Sequence, residues 1–219
     1  MEKKLPELQL ALDYVSLPSA IAMAALVKDY VDIIEVGTPL VKAAGMAAVS
    51  AIKEVCPNNR VLADVKTPDV GALEAQMSFD AGADIMTVIQ GAPLETVKDA
   101  LETAKKNNKE MLIELTGVRD LSVMAPKWRE LGVEWLVYHR EWDAQAHGLD
   151  WGEEHFKEIR ELIDMGFKLT ITGGLTPELI PLFKGISAGR VIAGRAIHAS
   201  EDPIAAAKAI RKAIEETWS

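Results

Sequence analysis

The chain is poor in several things, and each shortage closes off a class of function. It has one cysteine, Cys56, so no disulfide can form within it. That fits a reduced, cytoplasmic setting. With no histidine near it in sequence, Cys56 reads as a small packed residue. Positive charge is scarce: 24 Lys and Arg stand against 33 Asp and Glu, a formal net charge of -9 and a pI near 5.0. Nucleic acid and acidic membrane surfaces call for the opposite balance. The five tryptophans do not interleave with Lys or Arg as a base-stacking surface does. No apolar run reaches the length of a membrane span, and the first residues carry no signal-peptide core. There is no Pro/Ser-rich linker or low-complexity tract, and no G-x-G-x-x-G follows the first apolar run, which argues against a dinucleotide-binding open sheet.

What is present is regular. Short apolar runs recur at Leu8–Asp13, Val31–Gly37, Arg60–Lys66, Asp84–Ile89, Met111–Thr116, Trp135–Arg140, Lys168–Thr172 and Arg190–Gly194. They are nearly continuous in aliphatic residues, the pattern of parallel strands buried on both faces. Amphipathic stretches lie between them: Ser19 to Asp29 with Ser19 as N-cap, Lys42 to Val55, Leu73 to Asp80, Pro93 to Asn107, Ser122 to Leu131, Trp151 to Met165, Pro177 to Phe183, and Pro203 to Trp218. Glycine just past several of these ends is ordinary helix-stop chemistry. Eight such alternations predict one α/β domain over residues 1–219, a (β/α)8 TIM barrel with lean loops. A doubly wound open sheet is the structural alternative.

In such a barrel, chemistry gathers where the strands end. Those positions hold Asp13, Glu35, Asp64 with Lys66, Gln90, Glu114, His139 with Arg140, Thr172-Gly173-Gly174 and Gly194-Arg195. An isolated Asp-x-Lys is most simply a strand-end salt bridge. Converging carboxylates, however, repel one another unless a cation or ligand joins them. Glu35 and Asp64 suit a hard divalent cation such as Mg2+; the alternative is that Glu35 pairs only with Lys66, and both readings stand at this point. His139, at the end of an apolar strand, can serve as a proton donor near neutral pH. His147, His155 and His198 read as solvated. Glycines after the seventh and eighth strands let backbone N–H groups approach a phosphate, a helix start adds its dipole, and Arg195 adds a charged clamp.

These residues resemble a known group. The segments Leu10–Asp13, Asp32–Thr38, Leu62–Asp69, Ile113–Gly117, Tyr138–Arg140, Asp143–Ala146, Thr172–Gly174 and Ile192–Arg195 are similar to the orotidine 5′-monophosphate decarboxylase suprafamily. Its hallmark D-x-K-x-x-D is Asp64-Val65-Lys66-Thr67-Pro68-Asp69 here. The resemblance covers essentially the whole chain. It is stronger to the branch that decarboxylates 3-keto-L-gulonate 6-phosphate than to the sibling 3-hexulose-6-phosphate synthases. Glu114, Thr172 and Arg195 carry that preference, since the synthases usually place Asp, Ala and a small or neutral residue there.

The resemblance implies a homodimer in which Asp69 reaches into the partner's site and joins Asp64 and Lys66. It implies that Glu35 and Asp64 hold Mg2+, and that loss of CO2 leaves a cis-enediolate stabilised by Mg2+ and Lys66. His139 then assists protonation. Thr172, Gly173, Gly174, Gly194 and Arg195 bind the phosphate end of the substrate, and Asp13 and Glu114 its hydroxyls or the charge network. There is one departure: where the decarboxylases commonly carry a second arginine, three residues after the histidine, this chain has Trp142. Two other functions stay open: addition of formaldehyde to ribulose 5-phosphate, and a sugar-phosphate-binding barrel without catalysis.

Overall fold

The computed structural model describes residues 5–117, 121–140, 147 and 150–219. Eight strands form a closed parallel barrel in chain order: β1 (Glu7–Leu12), β2 (Ile33–Val36), β3 (Arg60–Thr67), β4 (Ile85–Ile89), β5 (Glu110–Leu115), β6 (Trp135–His139), β7 (Lys168–Thr172) and β8 (Ala188–Ala193). β8 returns to pair with β1, so the barrel has no open edge. The aliphatic runs are explained by two cores. Outward-facing residues such as Leu8, Leu10, Ile34, Val61 and Ile113 pack under the helices. Inward-facing Ala11, Ile33, Leu62, Ile85, Leu112, Val137 and Ile192 fill the barrel itself. Burying each large aliphatic side chain stabilises the fold by about 1.5–3 kcal/mol. The interior is therefore packed, and the inward positions left for chemistry are those at the strand ends.

Among the described residues the helices are α1 (Leu17–Val27), α2 (Thr38–Ala44), α3 (Met46–Val55), α4 (Gly71–Asp80), α5 (Leu94–Lys106), α6 (Leu121–Leu131), α7 (Glu153–Asp164), α8 (Arg195–His198) and α9 (Pro203–Trp218). Three stretches differ from the sequence expectation. α1 starts earlier, and its N-cap is Ser16, whose hydroxyl accepts from the Ser19 amide. The single helix expected over 42–55 is two helices, because Gly45 takes φ 64 and ψ -158, outside any helical region. α2 consequently begins at Thr38, at the mouth of the barrel. The helix expected from Pro177 is only a 3-10 turn at Ile180–Phe183. Among the described residues no helix is long and apolar enough to cross a membrane.

Candidate active site

Side chains alternate along each strand, so the inward set on β1 runs Gln9, Ala11, then Asp13 just past the strand end. The same two-residue step takes β2 from Ile33 to Glu35, β5 from Leu112 to Glu114, β6 from Val137 to His139 and β8 from Ile192 to Gly194. The register agrees, with Glu35 opposite both Ala11 and Leu62. These ends surround a cavity of about 790 Å³. Of the residues singled out in the sequence, Asp13, Glu35, Asp64, Lys66, Glu114, His139, Thr172, Gly173, Gly174, Gly194 and Arg195 all line it. Asp69 does not. It is exposed on the turn after β3, where its carboxylate accepts from the Val70 amide at 2.8 Å. Gln90 is also outside the lining and donates to the Thr116 carbonyl. Trp142 and residues 143–146 lie outside the described residues.

Lys66 is at the centre. Its Nζ donates to Asp64 Oδ2 at 2.5 Å and to Glu114 Oε1 at 2.8 Å. The same Glu114 oxygen meets His139 Nδ1 at 2.8 Å. Burial works against a charged lysine, but Asp64 and Glu114 outweigh it and hold Lys66 protonated well above its ordinary range. Burial likewise pushes Glu114 up, yet the His139 hydrogen bond and the Lys66 charge bring its pKa down to about 2. Glu114 is thus a fixed anion. Because an ionised carboxylate can only accept, His139 Nδ1 is the donor in this contact and carries a proton.

The carboxylates on the β1 to β3 side are different. Burial pushes Glu35 well above the ordinary carboxylate range, and Asp64, Asp13 and Glu114 push it further. Burial and Glu114 also raise Asp64 against the opposing pull of Lys66. Burial raises Asp13, with His198, Lys66 and His139 opposing. Four carboxylates therefore converge on a cavity whose buried ammonium already serves two of them. Glu35 Oε2 accepts from Gln9 Nε2 at 2.6 Å, and Asp64 accepts from the hydroxyls of Thr38 at 2.5 Å and Thr87 at 2.8 Å. Neighbouring hard oxygen donors with surplus negative charge are the chemistry a Mg2+ ion requires. Among the described residues no set of three or more His, Cys, Asp or Glu side chains forms a protein-only metal cage. A two-carboxylate site leaves room for water and ligand oxygens.

Two glycines are forced by close approach. A Cβ on Gly37 would fall 2.3 Å from Asp13 Oδ1, so Asp13 can face the cavity only because a glycine follows β2. Gly173 has φ 121, and a Cβ there would fall 2.5 Å from the Arg140 carbonyl. Gly174 also has positive φ. The β7 loop therefore turns sharply and lies open beside Gly194 and the exposed Arg195.

Arg140 turns away from this cavity. It is 5% exposed, and its Nε and Nη2 donate to the Gly173 carbonyl at 3.2 and 3.0 Å, with Nη1 at 3.2 Å from Asp150. It braces the glycine loop from behind and does not stand in for the arginine missing at position 142. His155 and His198 are half-buried, against the expectation that they are solvated. His155 Nδ1 accepts the Gly152 amide at 2.9 Å, and the His198 ring sits 5.1 Å from that of Tyr14. The sequence reading missed Thr38, Thr87 and Gln9 as partners of the carboxylates. The signal for two of them was there: Gln9 and Thr87 are polar residues on the inward phase of otherwise apolar strands.

Known proteins match both the fold and the sequence. The model of the orotidine 5′-phosphate decarboxylase / HUMPS family matches residues 6–210. The 3-keto-L-gulonate-6-phosphate decarboxylase UlaD of Salmonella typhi is 46% identical over 214 residues, 98% of this chain and 99% of that protein. The crystal structure of KGPDC from Streptococcus mutans, solved in complex with a sugar phosphate, superposes with a TM-score of 0.95 at 35% identity, covering 99% of this chain and 100% of that one. That of 3-keto-L-gulonate-6-phosphate decarboxylase from Vibrio cholerae gives 0.92 at 40% identity, with the same coverage. The match spans barrel and mouth alike, and the chain belongs to the orotidine 5′-phosphate decarboxylase / HUMPS family.

Proposed function

We propose that this protein is a carboxy-lyase that converts 3-keto-L-gulonate 6-phosphate to L-xylulose 5-phosphate and CO2 through a cis-enediolate. The observation that carries this reading is Lys66, held charged between Asp64 and Glu114 beside His139. Breaking the bond to the carboxylate leaves its electron pair on the sugar, next to the carbonyl. A fixed ammonium in a low-dielectric site stabilises that charge without reorganising. Asp64 and Glu114 aim the ammonium, and His139 in its imidazolium form gives up its Nε2 proton to the carbon that lost CO2, directly or through one water, keeping the Nδ1 proton on Glu114. The glycines of the β7 and β8 loops, with Arg195, hold the phosphate and set the distance from it to Lys66. Thr172 borders the phosphate end with these glycines, and Asp13, lining the same space, takes a substrate hydroxyl.

Glu35 and Asp64 are the residues that would hold Mg2+. When bound, the ion supplies Lewis-acid stabilisation of negative charge on substrate oxygens. The excess of buried carboxylate supports this assignment. The reading includes a homodimer. Asp69 is exposed beside Val70, which caps α4, and Leu73 and Met77, on one stripe of that helix; the three are 53, 60 and 47% exposed. A second copy covering that stripe would bring Asp69 to the partner's Lys66. The reaction is placed in the cytoplasm, since a phosphorylated sugar acid does not cross a bilayer unaided.

The test is CO2 release from 3-keto-L-gulonate 6-phosphate, with Mg2+ and with EDTA, run beside formaldehyde addition to ribulose 5-phosphate. Fast Mg2+-dependent CO2 release is expected. Formaldehyde fixation outpacing it would make the protein a hexulose-phosphate synthase. Thermal stabilisation by sugar phosphates with no turnover of either substrate would make it a binding barrel. Mixing inactive Lys66→Ala and Asp69→Ala dimers should restore partial activity, because hybrid dimers contain one intact site; no recovery would place Asp69 in its own subunit's site or in none.

A further inference from the structure

β3 and β4 part company where the cavity begins. Ala63 pairs with Met86, and the next pair is Thr67 with Val88. Four steps along β3 are matched by two along β4, so Asp64, Val65 and Lys66 leave the ladder. Simple strand alternation therefore does not explain why Asp64 and Lys66 meet. Lys66 has φ 50, in the left-handed region that residues with a side chain occupy only when their surroundings hold them there. An amide taken out of a ladder must also find another acceptor.

Both needs are met by one buried side chain on β4. Thr87 is 1% exposed. Its hydroxyl oxygen accepts the Lys66 amide at 3.0 Å and donates to Asp64 Oδ1 at 2.8 Å. The direction is fixed, because an amide can only donate and an ionised carboxylate can only accept. The other Asp64 oxygen meets Lys66 Nζ. Amide, hydroxyl, carboxylate and ammonium thus form a closed ring that begins and ends on Lys66. Thr87 does not line the cavity.

We propose that Thr87 is a positioning residue for the reaction: its hydroxyl holds the Lys66 backbone in its left-handed turn and orients Asp64 so that the ammonium is aimed before substrate arrives. This rests on the reading of Lys66 as the working cation. Preorganisation of this kind acts on the transition state, so its loss shows in kcat more than in KM.

Thr87→Val keeps the shape and removes the oxygen; Thr87→Ser keeps the oxygen and removes a methyl. For CO2 release from 3-keto-L-gulonate 6-phosphate, Thr87→Val should lower kcat roughly 10- to 100-fold with KM within a factor of about two. Thr87→Ser should recover most of the rate. Hydrogen exchange at the Lys66 amide, followed by NMR without substrate, should be slow in wild type and Thr87→Ser and fast in Thr87→Val. Wild-type kcat in Thr87→Val, or a Thr87→Ser variant as slow as Thr87→Val, would overturn the proposal, the latter by assigning the effect to packing of the methyl. If Thr87→Val does not fold, Thr87→Ala makes the same comparison against Thr87→Ser. If wild type releases no CO2 from this substrate, the proposed function fails, and the exchange measurement still decides whether Thr87 holds Lys66.

Discussion

The two ends of this barrel are both lined with charge, and they treat it in opposite ways. At the N-terminal end, Glu7, Arg60, Glu110 and Arg190 alternate in sign and close on one another. Arg60 reaches Glu7 at 2.5 Å and Glu110 at 2.6 Å; Arg190 reaches the same two at 3.3 and 2.6 Å. Arg190 is 1% exposed and lies 3.8 Å from the centre of the Trp135 ring. Both carboxylates of this plug meet both arginines, so its charges cancel. At the C-terminal end, Asp13, Glu35, Asp64 and Glu114 gather round Lys66, and burial raises the pKa of three of the four, Glu35 most strongly. Charge that cancels within the protein is structural; charge left over is a demand for something from outside.

The largest way to test the contrast is to remove one cation from each end. Lys66→Ala should cut turnover by at least about 10³-fold while circular dichroism shows an intact fold, since loss of a single preorganised charge-stabilising group costs on that order. A variant retaining near-wild-type rate would sink the role given to Lys66. Arg190→Met should do the reverse. It leaves Glu7 and Glu110 sharing Arg60 alone, at a cost of about 3–5 kcal/mol in denaturant unfolding, while kcat of the folded fraction is unchanged. Next in size is Glu35→Gln, which relieves like-charge crowding. In EDTA it should be more stable than wild type by about 1 kcal/mol, and Mg2+, which should stabilise wild type, should no longer do so. Equal Mg2+ stabilisation of both proteins would move the metal away from Glu35.

The barrel and its charged mouth were legible in the sequence, for physical reasons, while the plug of Glu7, Arg60, Glu110 and Arg190 was not read there. The barrel follows from aliphatic runs that must be buried on both faces, and the mouth from charged residues where those runs stop. Glu35 and Asp64 could be named because a carboxylate at the end of an apolar strand has little structural reason to be there. Three things were hidden. The split of the 42–55 helix depended on the dihedral angles of Gly45, which a helical pattern of apolar residues conceals. His198 looked like a solvated helix residue, because its packing on Tyr14 joins positions far apart in the chain. Thr87 stands out as a polar residue on the inward phase of β4, but its partners were hidden, because they are set by a β-bulge that has no sequence signature of its own. Arg140 stood beside the candidate proton donor in sequence yet turns from the cavity to hold the Gly173 carbonyl from behind.

The smallest expected effect sharpens the comparison by titration at the N-terminal end. Asp84 lies just before β4, away from the cavity, and its carboxylate accepts from Lys53 at 2.8 Å, Lys109 at 2.6 Å and the Val61 amide at 3.0 Å. Burial pushes its pKa up, but the Lys109, Lys53 and Val61 hydrogen bonds outweigh burial and hold it below the ordinary 3.8. A carboxylate depressed by folding gives stability that is fully present above its unfolded pKa and is lost as pH falls through the folded one. Asp84→Asn should therefore cost about 1 kcal/mol at pH 7, the same at pH 5, and progressively less from about pH 4 downward, with kcat unaffected throughout. High salt should shrink the difference at neutral pH. If instead the variant stays equally destabilised at pH 3, Asp84 acts through packing and hydrogen-bond geometry, and the rule that this end of the barrel is stabilised by its paired charges would hold for the arginine plug alone.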